Sequence, residues 1–355
     1  MKLGLGLYRH MLHTDNFRFV RQAGATHIVA HLTDYFSDGP RIPTQEDDGW
    51  GWANPDLEPW SAESLSGLRR SIQAEGLELA ALENFSPAHW YDILLDGPRR
   101  DEQIATIQAI VRNLGEAGIP VMGYNFSIAG VWGHVEGPWA RGGAESVGFL
   151  GPDGPRETPI ANGTIWNMTY DPEAPTGTVS AVGRKELWSR LDRFLGEVLP
   201  VAEEAGVALA LHPDDPPMPT LRGTARLVYQ PRMYQDVLDL HASPSNKLEY
   251  CVGSLAEMTE GDIYAFTEQY SQQDAIGYVH FRNVLGKVPR YREVFVDEGD
   301  VDMERIVAIL ATNDFDGVLI PDHTPQMTCE APWHAGMAYA LGYMRGIMRA
   351  QGISL

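Results

Sequence analysis

Short apolar runs alternate with longer amphipathic stretches along most of the chain. A short apolar run bounded by turn residues is typical of a buried strand, whereas apolar positions repeated every three or four residues are typical of a helix. The pattern predicts strands over Lys2–Tyr8, Thr26–Leu32, Leu77–Glu83, Val121–Phe126, Val207–His212, Leu248–Gly253, Ile276–Arg282 and Gly317–Asp322. It predicts helices over Ala62–Glu75, Asp101–Ala117, Lys185–Ala205, Pro231–Leu240, Glu257–Gln269, Asp302–Ala311 and Trp333–Ala350.

Eight strands that alternate with helices in 355 residues predict an α/β fold of the (β/α)8 TIM-barrel type. A doubly wound open sheet is the competing architecture. A dinucleotide-binding sheet of that kind is marked by a Gly-x-Gly-x-x-Gly turn after an early strand. Here Gly4-Leu5-Gly6 lies inside the first predicted strand and lacks the third glycine, which favours the barrel.

Two stretches interrupt the alternation. Residues Ser37–Pro59 are rich in Asp, Gly, Pro and Trp, and we expect them to form a loop over the barrel top. Residues Ser127–Val182 are rich in Gly, Pro and Thr, and a connection of that length is usually a functional lid or an insertion with its own short elements. We therefore expect one barrel domain over residues 1–355, with an insertion at 127–182 after the fourth strand.

Potential metal ligands lie at or near the carboxyl ends of four successive predicted strands. They are His212, Cys251, His280 and Asp322. In a barrel of this type the carboxyl ends of the strands face the active site, so these side chains are predicted to meet at one divalent-metal site. Imidazole and thiolate favour zinc, iron or nickel, and the carboxylate is compatible with manganese.

Three of these residues also have an ordinary structural interpretation. His212, followed by Pro213-Asp214-Asp215, fits a helix-capping turn; Cys251 fits a small buried hydrophobe; Asp322 fits an N-cap. The succession of all four at strand ends favours the metal site over these readings taken one by one.

Further candidates surround the proposed ligands. His323 is positioned for proton transfer or for orienting a ligand, and Arg282 and Arg9 are cations that could hold an anion. Glu83, His89, Tyr124 and Asn125 are candidates for substrate contacts. For Glu83 a salt bridge to a nearby loop, and for Tyr124 a place in the barrel interior, are the alternatives.

The amino-acid composition excludes some classes of binding partner. The formal net charge is −21, from 27 basic and 48 acidic residues, so the surface repels nucleic acid and anionic membranes. The pattern of the N-terminal segment predicts a strand and not a signal peptide. The chain has two cysteines, which indicates no disulfide framework. We expect a cytoplasmic protein with a small-molecule partner, and the sequence leaves its oligomeric state, homo-oligomers included, open.

At these same residues the chain resembles the mannonate dehydratase family, metal-dependent lyases of hexuronate (glucuronate) breakdown with a xylose-isomerase-like barrel. The resemblance lies in Pro200-Val201-Ala202-Glu203-Glu204-Ala205-Gly206-Val207 through His212-Pro213-Asp214-Asp215-Pro216-Pro217, in Tyr124-Asn125-Phe126, Cys251-Val252-Gly253-Ser254, His280-Phe281-Arg282 and Pro321-Asp322-His323, and in Gln326-Met327. It covers most of the chain from Leu77 onward. Segment 127–182 and the N-terminal strand match poorly.

The resemblance implies that His212, Cys251, His280 and Asp322 hold a divalent ion, with manganese expected and Fe²⁺, Zn²⁺ or Mg²⁺ as alternatives. It also implies proton transfer by His323 and a contact of Arg282 with the substrate carboxylate. The family's Asp-His-Gly-His is here Asp322-His323-Thr324-Pro325. A downstream tyrosine of the family has no clear counterpart, and His334 and Tyr339 are the candidates to replace it.

The leading hypothesis is a hydro-lyase that dehydrates a sugar acid, D-mannonate or a related aldonate, to a 2-keto-3-deoxy acid. Such a reaction needs a Lewis acid at the carboxylate, a base for the alpha proton and an acid for the departing hydroxyl. A metal-dependent sugar isomerase or epimerase needs the same metal-stabilised enediolate without a leaving group. A non-catalytic protein that binds sugar acids is the third hypothesis, and it has little need for four ligands.

Overall fold

Eight parallel strands close into a barrel in the computed structural model, which describes residues 1–35, 37, 39 and 49–354. We number the barrel strands β1 (Lys2–Leu7), β2 (His27–Ala30), β3 (Glu78–Glu83), β4 (Val121–Tyr124), β5 (Ala208–Leu211), β6 (Asn246–Cys251), β7 (Ile276–His280) and β8 (Val318–Ile320). Each strand pairs in parallel with the next, and β1 closes the barrel on β8 with Leu3 opposite Leu319. The predicted barrel is confirmed, and all eight predicted strands are present.

Helices cover the outside of the barrel. They are α1 (Thr14–Gln22), α2 (Ala62–Ala74), α3 (Tyr91–Leu95), α4 (Arg100–Ala117), α5 (Arg184–Ala205), α6 (Met233–Leu240), α7 (Val252–Glu257), α8 (Ile263–Gln272), α9 (Met303–Thr312) and α10 (Pro332–Ala350). Their apolar faces pack on the outward side chains of the strands in one large core. None of the described helices is long and apolar enough to cross a membrane.

The predicted helix Glu257–Gln269 is wrong in its bounds. The chain leaves α7 at Glu257 and begins α8 only at Ile263. Between them Gly261 takes a left-handed conformation (φ +78°), and the Asp262 side chain then accepts a hydrogen bond from the Tyr264 amide at 2.9 Å. An aspartate at this position caps a helix and so starts a new one.

Segment 127–182 contains strands of its own. Strands His134–Ala140 and Ala144–Phe149 form a hairpin, which joins a second hairpin, Asn283–Lys287 with Arg290–Val294, from the loop after β7. We call this four-stranded antiparallel sheet the cap sheet. Tyr291 lies opposite Phe149 where the two hairpins meet, so residues far apart in sequence come together above the barrel.

The predicted loop Ser37–Pro59 lies partly outside the described residues, at 36, 38 and 40–48. Of its described part, Ala53 donates a backbone hydrogen bond to Thr169 at 2.8 Å. That bond ties the loop after β2 to segment 127–182.

Candidate active site and metal centre

A cavity of about 640 Å³ opens at the carboxyl ends of the barrel strands, a volume in the range of small-molecule sites. Its wall is built by strand ends, by the cap sheet and by the loop after β2. Predicted site residues that line it are Glu83, Asn125, His212, His280, Arg282, Asp322 and His323.

Three of the four predicted ligands form one compact group. A ligand atom of His212, of Cys251 and of His280 lies within 4.8 Å of the other two. We call these three residues the metal-ligand group. They come together because β5, β6 and β7 are neighbours in the barrel, with Cys251 directly opposite His280 in the β6–β7 register.

Local contacts prepare these side chains for a cation. His212 Nδ1 lies 2.5 Å from the Pro213 carbonyl oxygen and donates a hydrogen bond to it, so Nε2 is the ring nitrogen left to bind a metal. Burial raises the pKa of the Cys251 thiol, but the charge of Arg282 and the bonds to His212 and His280 outweigh burial and hold that pKa well below its usual value. A thiolate is the form of cysteine that binds metals.

Asp322, the fourth predicted ligand, adjoins this group. Its Oδ2 lies 3.2 Å from His280 Nδ1, although Asp322 is not within the compact set of three. Burial raises the pKa of Asp322, but His280 and His323 outweigh it and keep the carboxyl ionised. The backbone of Asp322 is left-handed (φ +58°), a conformation that aspartate tolerates better than most residues.

A second group of possible ligands shares His280. It consists of Glu83, Glu249 and His280, all buried, with His280 Nε2 3.1 Å from a carboxylate oxygen of each glutamate. The contacts of His280 with Glu249 and with Asp322 are ion pairs that lack hydrogen-bond geometry, so both carboxylate oxygens of Glu249 and the Nδ1 atom of His280 have no hydrogen-bond partner among the described residues. Buried polar atoms without partners are costly, and a bound cation would satisfy them, so this donor set fits a divalent metal.

Arg282 is enclosed by carboxylates. Its Nη1 contacts Glu257 at 2.8 Å and Glu293 at 3.2 Å, its Nη2 contacts Asp215 and, at 3.0 Å, Ser254, and its Nε lies 3.3 Å from Asp322. Nη1 and Nη2 thus face four protein oxygens, while Nε makes no hydrogen bond among the described residues and has only the ion-pair contact with Asp322. The expectation that Arg282 holds the substrate carboxylate does not fit this arrangement, because the substrate would have to displace a buried partner.

His323 stands at the cavity wall between two carboxylates. Its Nδ1 lies 3.2 Å from both carboxylate oxygens of Glu293, and its Nε2 lies 3.7 Å from Asp322. Burial lowers the pKa of His323, but Asp322 and Glu293 outweigh it and raise that pKa to about 10. The side chain is 47% exposed, so solvent screens part of this effect, and the imidazole is cationic at neutral pH.

Four predicted substrate contacts lie outside the cavity wall. Arg9 reaches the Leu32 carbonyl oxygen at 3.4 Å. His89 is buried against Trp60, and burial lowers its pKa to about 4. The remaining two are Tyr124, which is fully buried against Trp90 and Phe194, and His334, whose Nε2 lies 3.3 Å from Asn16. Tyr339, the other candidate for the missing tyrosine, contacts Arg141 at 3.2 Å.

Sequence reasoning missed Glu249 and Glu293 as members of this site. Glu249 precedes Cys251 by two residues on β6, and side chains two apart on a strand share a face, so the strand period could have found it. Glu293 has no such signal. It belongs to the cap sheet, and only the pairing of the two hairpins brings it beside His323.

Comparison with known proteins agrees with this geometry. The model of the D-mannonate dehydratase (UxuA) family matches residues 1–140 and 177–355. The mannonate dehydratase of Streptococcus equi subsp. zooepidemicus (strain MGCS10565) is 33% identical over 312 residues, which cover 82% of this chain and 85% of that protein.

Solved structures give the same result. The crystal structure of mannonate dehydratase from Streptococcus suis serotype 2 superposes with a TM-score of 0.76 at 27% identity, covering 100% of this chain and 95% of that one. A xylose isomerase domain protein from Planctomyces limnophilus superposes with a TM-score of 0.59 at 13% identity, covering 99% and 98%, which confirms the xylose-isomerase-like fold alone. The chain belongs to the mannonate dehydratase family, a family of hydro-lyases.

Proposed function

We propose that this chain is a metal-dependent hydro-lyase that converts an aldonate, D-mannonate or a close relative, to a 2-keto-3-deoxy acid. The observation that carries the proposal is the metal-ligand group beside a cationic histidine, at the strand ends of a barrel that belongs to the mannonate dehydratase family. The relatives named mannonate dehydratase support D-mannonate as the first substrate to test.

His212, Cys251 and His280, with Asp322 beside them, would hold the ion, and the family resemblance supports manganese. When bound, the ion supplies Lewis-acid stabilisation of the negative charge that develops at the substrate carboxylate. Glu249 and Glu83 set the electrostatics around His280 from the barrel interior. A site that depends on a free Cys251 also supports the expectation of a reducing cytoplasm.

His323 is suited to be the acid of the reaction. Dehydration needs a proton delivered to the hydroxyl that departs from C3, and a cationic imidazole at the cavity wall holds that proton. Glu293 orients the ring through Nδ1, which directs Nε2 away from the cap sheet. The positive charge of His323 also attracts the negatively charged carboxylate of the substrate.

Two other cavity histidines are neutral at pH 7. Burial lowers the pKa of His31 and of His134, against the opposing influence of Glu83 on the first and of Asp215 on the second. Neutral imidazole is the protonation state that accepts a proton. The cavity wall therefore contains both a proton donor, His323, and two histidines that can accept a proton. Arg282 acts as a positioning residue, since it holds Asp215, Glu257 and Asp322 in place.

A substrate panel tests the proposal. The purified, manganese-loaded protein is incubated with D-mannonate and its stereoisomers, and the products are analysed by mass and by a colorimetric reaction for 2-keto-3-deoxy acids. We expect a product lighter by one water molecule from at least one aldonate. An isomer of unchanged mass would establish the isomerase or epimerase instead, and the absence of any reaction across the panel would overturn the proposal.

A further inference from the structure

Segment 141–176 is the part of the chain that the family model leaves unmatched, and it reaches the cavity. It contributes to the cavity wall the side chains of Glu145, Ser146, Val147, Trp166 and Asn167. The ligands at the strand ends all lie within the matched part of the chain. Part of the cavity wall therefore comes from residues that lie outside the match to the family model.

The tip of a short hairpin presents Trp166. Strands Thr164–Ile165 and Met168–Thr169 pair antiparallel, and both turn residues, Trp166 (φ +49°) and Asn167 (φ +61°), are left-handed. Hairpin turns of this kind normally use Asn and Gly, because a large side chain is strained there. A tryptophan in this position persists only where the surroundings hold it.

The surroundings do hold the tip. The Trp166 amide donates to the Ile128 carbonyl at 2.9 Å, and the Asn167 carbonyl accepts from the Trp50 amide at 2.6 Å. Gly130 passes so close that a Cβ there would lie 2.9 Å from the Trp166 Cα atom. The indole is thus fixed by backbone contacts to both neighbouring loops, and it is 6% exposed.

Trp166 forms an aromatic wall with Tyr35 and Trp50. The ring centroid of Trp166 lies 5.1 Å from that of Trp50 and 5.6 Å from that of Tyr35, and Trp50 meets Tyr35 edge-on at 5.7 Å. All three rings line the cavity. Rings turned against one another in this way offer an apolar corner to a ligand.

A short chain of contacts joins the aromatic wall to the metal-ligand group. The Tyr35 ring centroid lies 5.7 Å from that of His31, whose Nε2 is 3.7 Å from a Glu83 carboxylate oxygen. The same Glu83 oxygen lies 3.1 Å from His280 Nε2. Because His212, His280 and the three rings line one cavity, a ligand whose carboxylate lies at the metal-ligand group has the three rings in the wall around it.

We propose that the aromatic wall binds the carbon chain of the aldonate at the end away from the carboxylate, and that Trp166 makes the site prefer six-carbon over five-carbon aldonates. The inference rests on the proposed function for the placement of the carboxylate. The C–H faces of the last carbons pack on the rings and leave water, and a five-carbon chain leaves part of that surface uncovered. A single methylene in an apolar pocket changes affinity by about tenfold or more, and we expect an effect of this order from the C–H surface of the additional carbon.

Binding of two 3-deoxy aldonates tests the inference. A 3-deoxyhexonate and a 3-deoxypentonate lack the hydroxyl that would depart, so calorimetry on the metal-loaded protein measures binding without turnover. We expect the wild type to bind the six-carbon compound about tenfold or more tightly, and Trp166→Ala to reduce this ratio to within about twofold. Trp166→Phe, which keeps a ring, should retain most of the preference, and Tyr35→Ala should reduce it.

The ratio separates specificity from structure. A tip that merely stabilises the fold would weaken both compounds equally, so an unchanged ratio in both alanine variants would overturn the inference. A wild type that binds the two compounds equally, or binds neither, would also overturn it. Dehydration of an intact hexonate is scored separately: binding with the expected ratio but without dehydration would refute the proposed function and leave the inference standing.

Discussion

Two sides of one cavity are built in different ways. The metal-ligand group ends three neighbouring barrel strands, so its geometry follows from the closure of the barrel itself. The aromatic wall comes from loops, and its central residue, Trp166, sits at a strained hairpin tip that backbone contacts hold in place. The barrel thus positions the metal-ligand group, whereas the loop after β2 and segment 141–176 position the three rings to which we assign the chain-length preference.

The largest effect is expected from removing side chains of the metal-ligand group. A Cys251→Ala, His280→Ala double variant removes two of three donors, so we expect it to lose the bound ion and all turnover, whereas the parent carries about one divalent ion per chain. Elemental analysis after dialysis measures the metal. Cys329→Ala is the matched control, because that cysteine is exposed and should leave the metal content unchanged. A double variant that kept its full metal content would refute the ligand assignment.

A smaller but still large effect is expected at His323. His323→Ala removes the proposed acid, and we expect the dehydration kcat to fall by about 10²–10⁴-fold with the metal content retained. Steady-state kinetics on the best aldonate of the panel gives the value. His241→Ala, which removes a histidine paired with Asp192 on the surface, is the control. Turnover within a few-fold of the parent in His323→Ala would exclude the acid role.

The metal-ligand group was largely predictable from the sequence. The strands alternate with helices at regular spacing, and ligand-type residues at their carboxyl ends mark the site, so the meeting of His212, Cys251 and His280 could be anticipated. The environment of Arg282 could not, since its five partners come from four separate places in the chain.

The aromatic wall was not predictable. Trp166 lies in an irregular stretch where no period of apolar residues fixes a direction, and its place depends on long-range backbone bonds to Ile128 and Trp50. Tyr124 is a different case: its position next to Asn125 suggested a sugar contact, with the barrel interior as the alternative, yet the ring packs outward against Trp90 and, on α5, Phe194. The short strand β4 gave too few apolar positions to decide which face of the barrel wall this side chain takes.

Substitution of Arg282 tests whether the charged residues around the metal-ligand group also stabilise the fold. Arg282→Met leaves the buried carboxylates of Asp215 and Glu257 without their cation, and we expect the free energy of unfolding to fall by about 3–5 kcal/mol. Denaturant unfolding of the metal-free protein measures the change. Arg99→Met, which removes an exposed pair with Glu102, should leave stability nearly unchanged because solvent screens that pair. Equal effects of the two variants would show that Arg282 is not structural and would restore the substrate-carboxylate role as a candidate.

The smallest effect is expected at the hairpin tip, and it sharpens the contrast between the two sides. Asn167 has a left-handed backbone, and its side chain donates to the Val131 carbonyl. Asn167→Ala and Asn167→Gly both remove that bond, but alanine also meets the steric penalty of the left-handed region, so we expect Asn167→Ala to be less stable by about 1 kcal/mol. Denaturant unfolding compares the two, and metal content should be the same in both. Equal stability would mean that the tip relaxes when its side chain is changed. In that case the loops would not hold Trp166 rigidly. The aromatic wall would then not be fixed in the way that the metal-ligand group is fixed by the barrel.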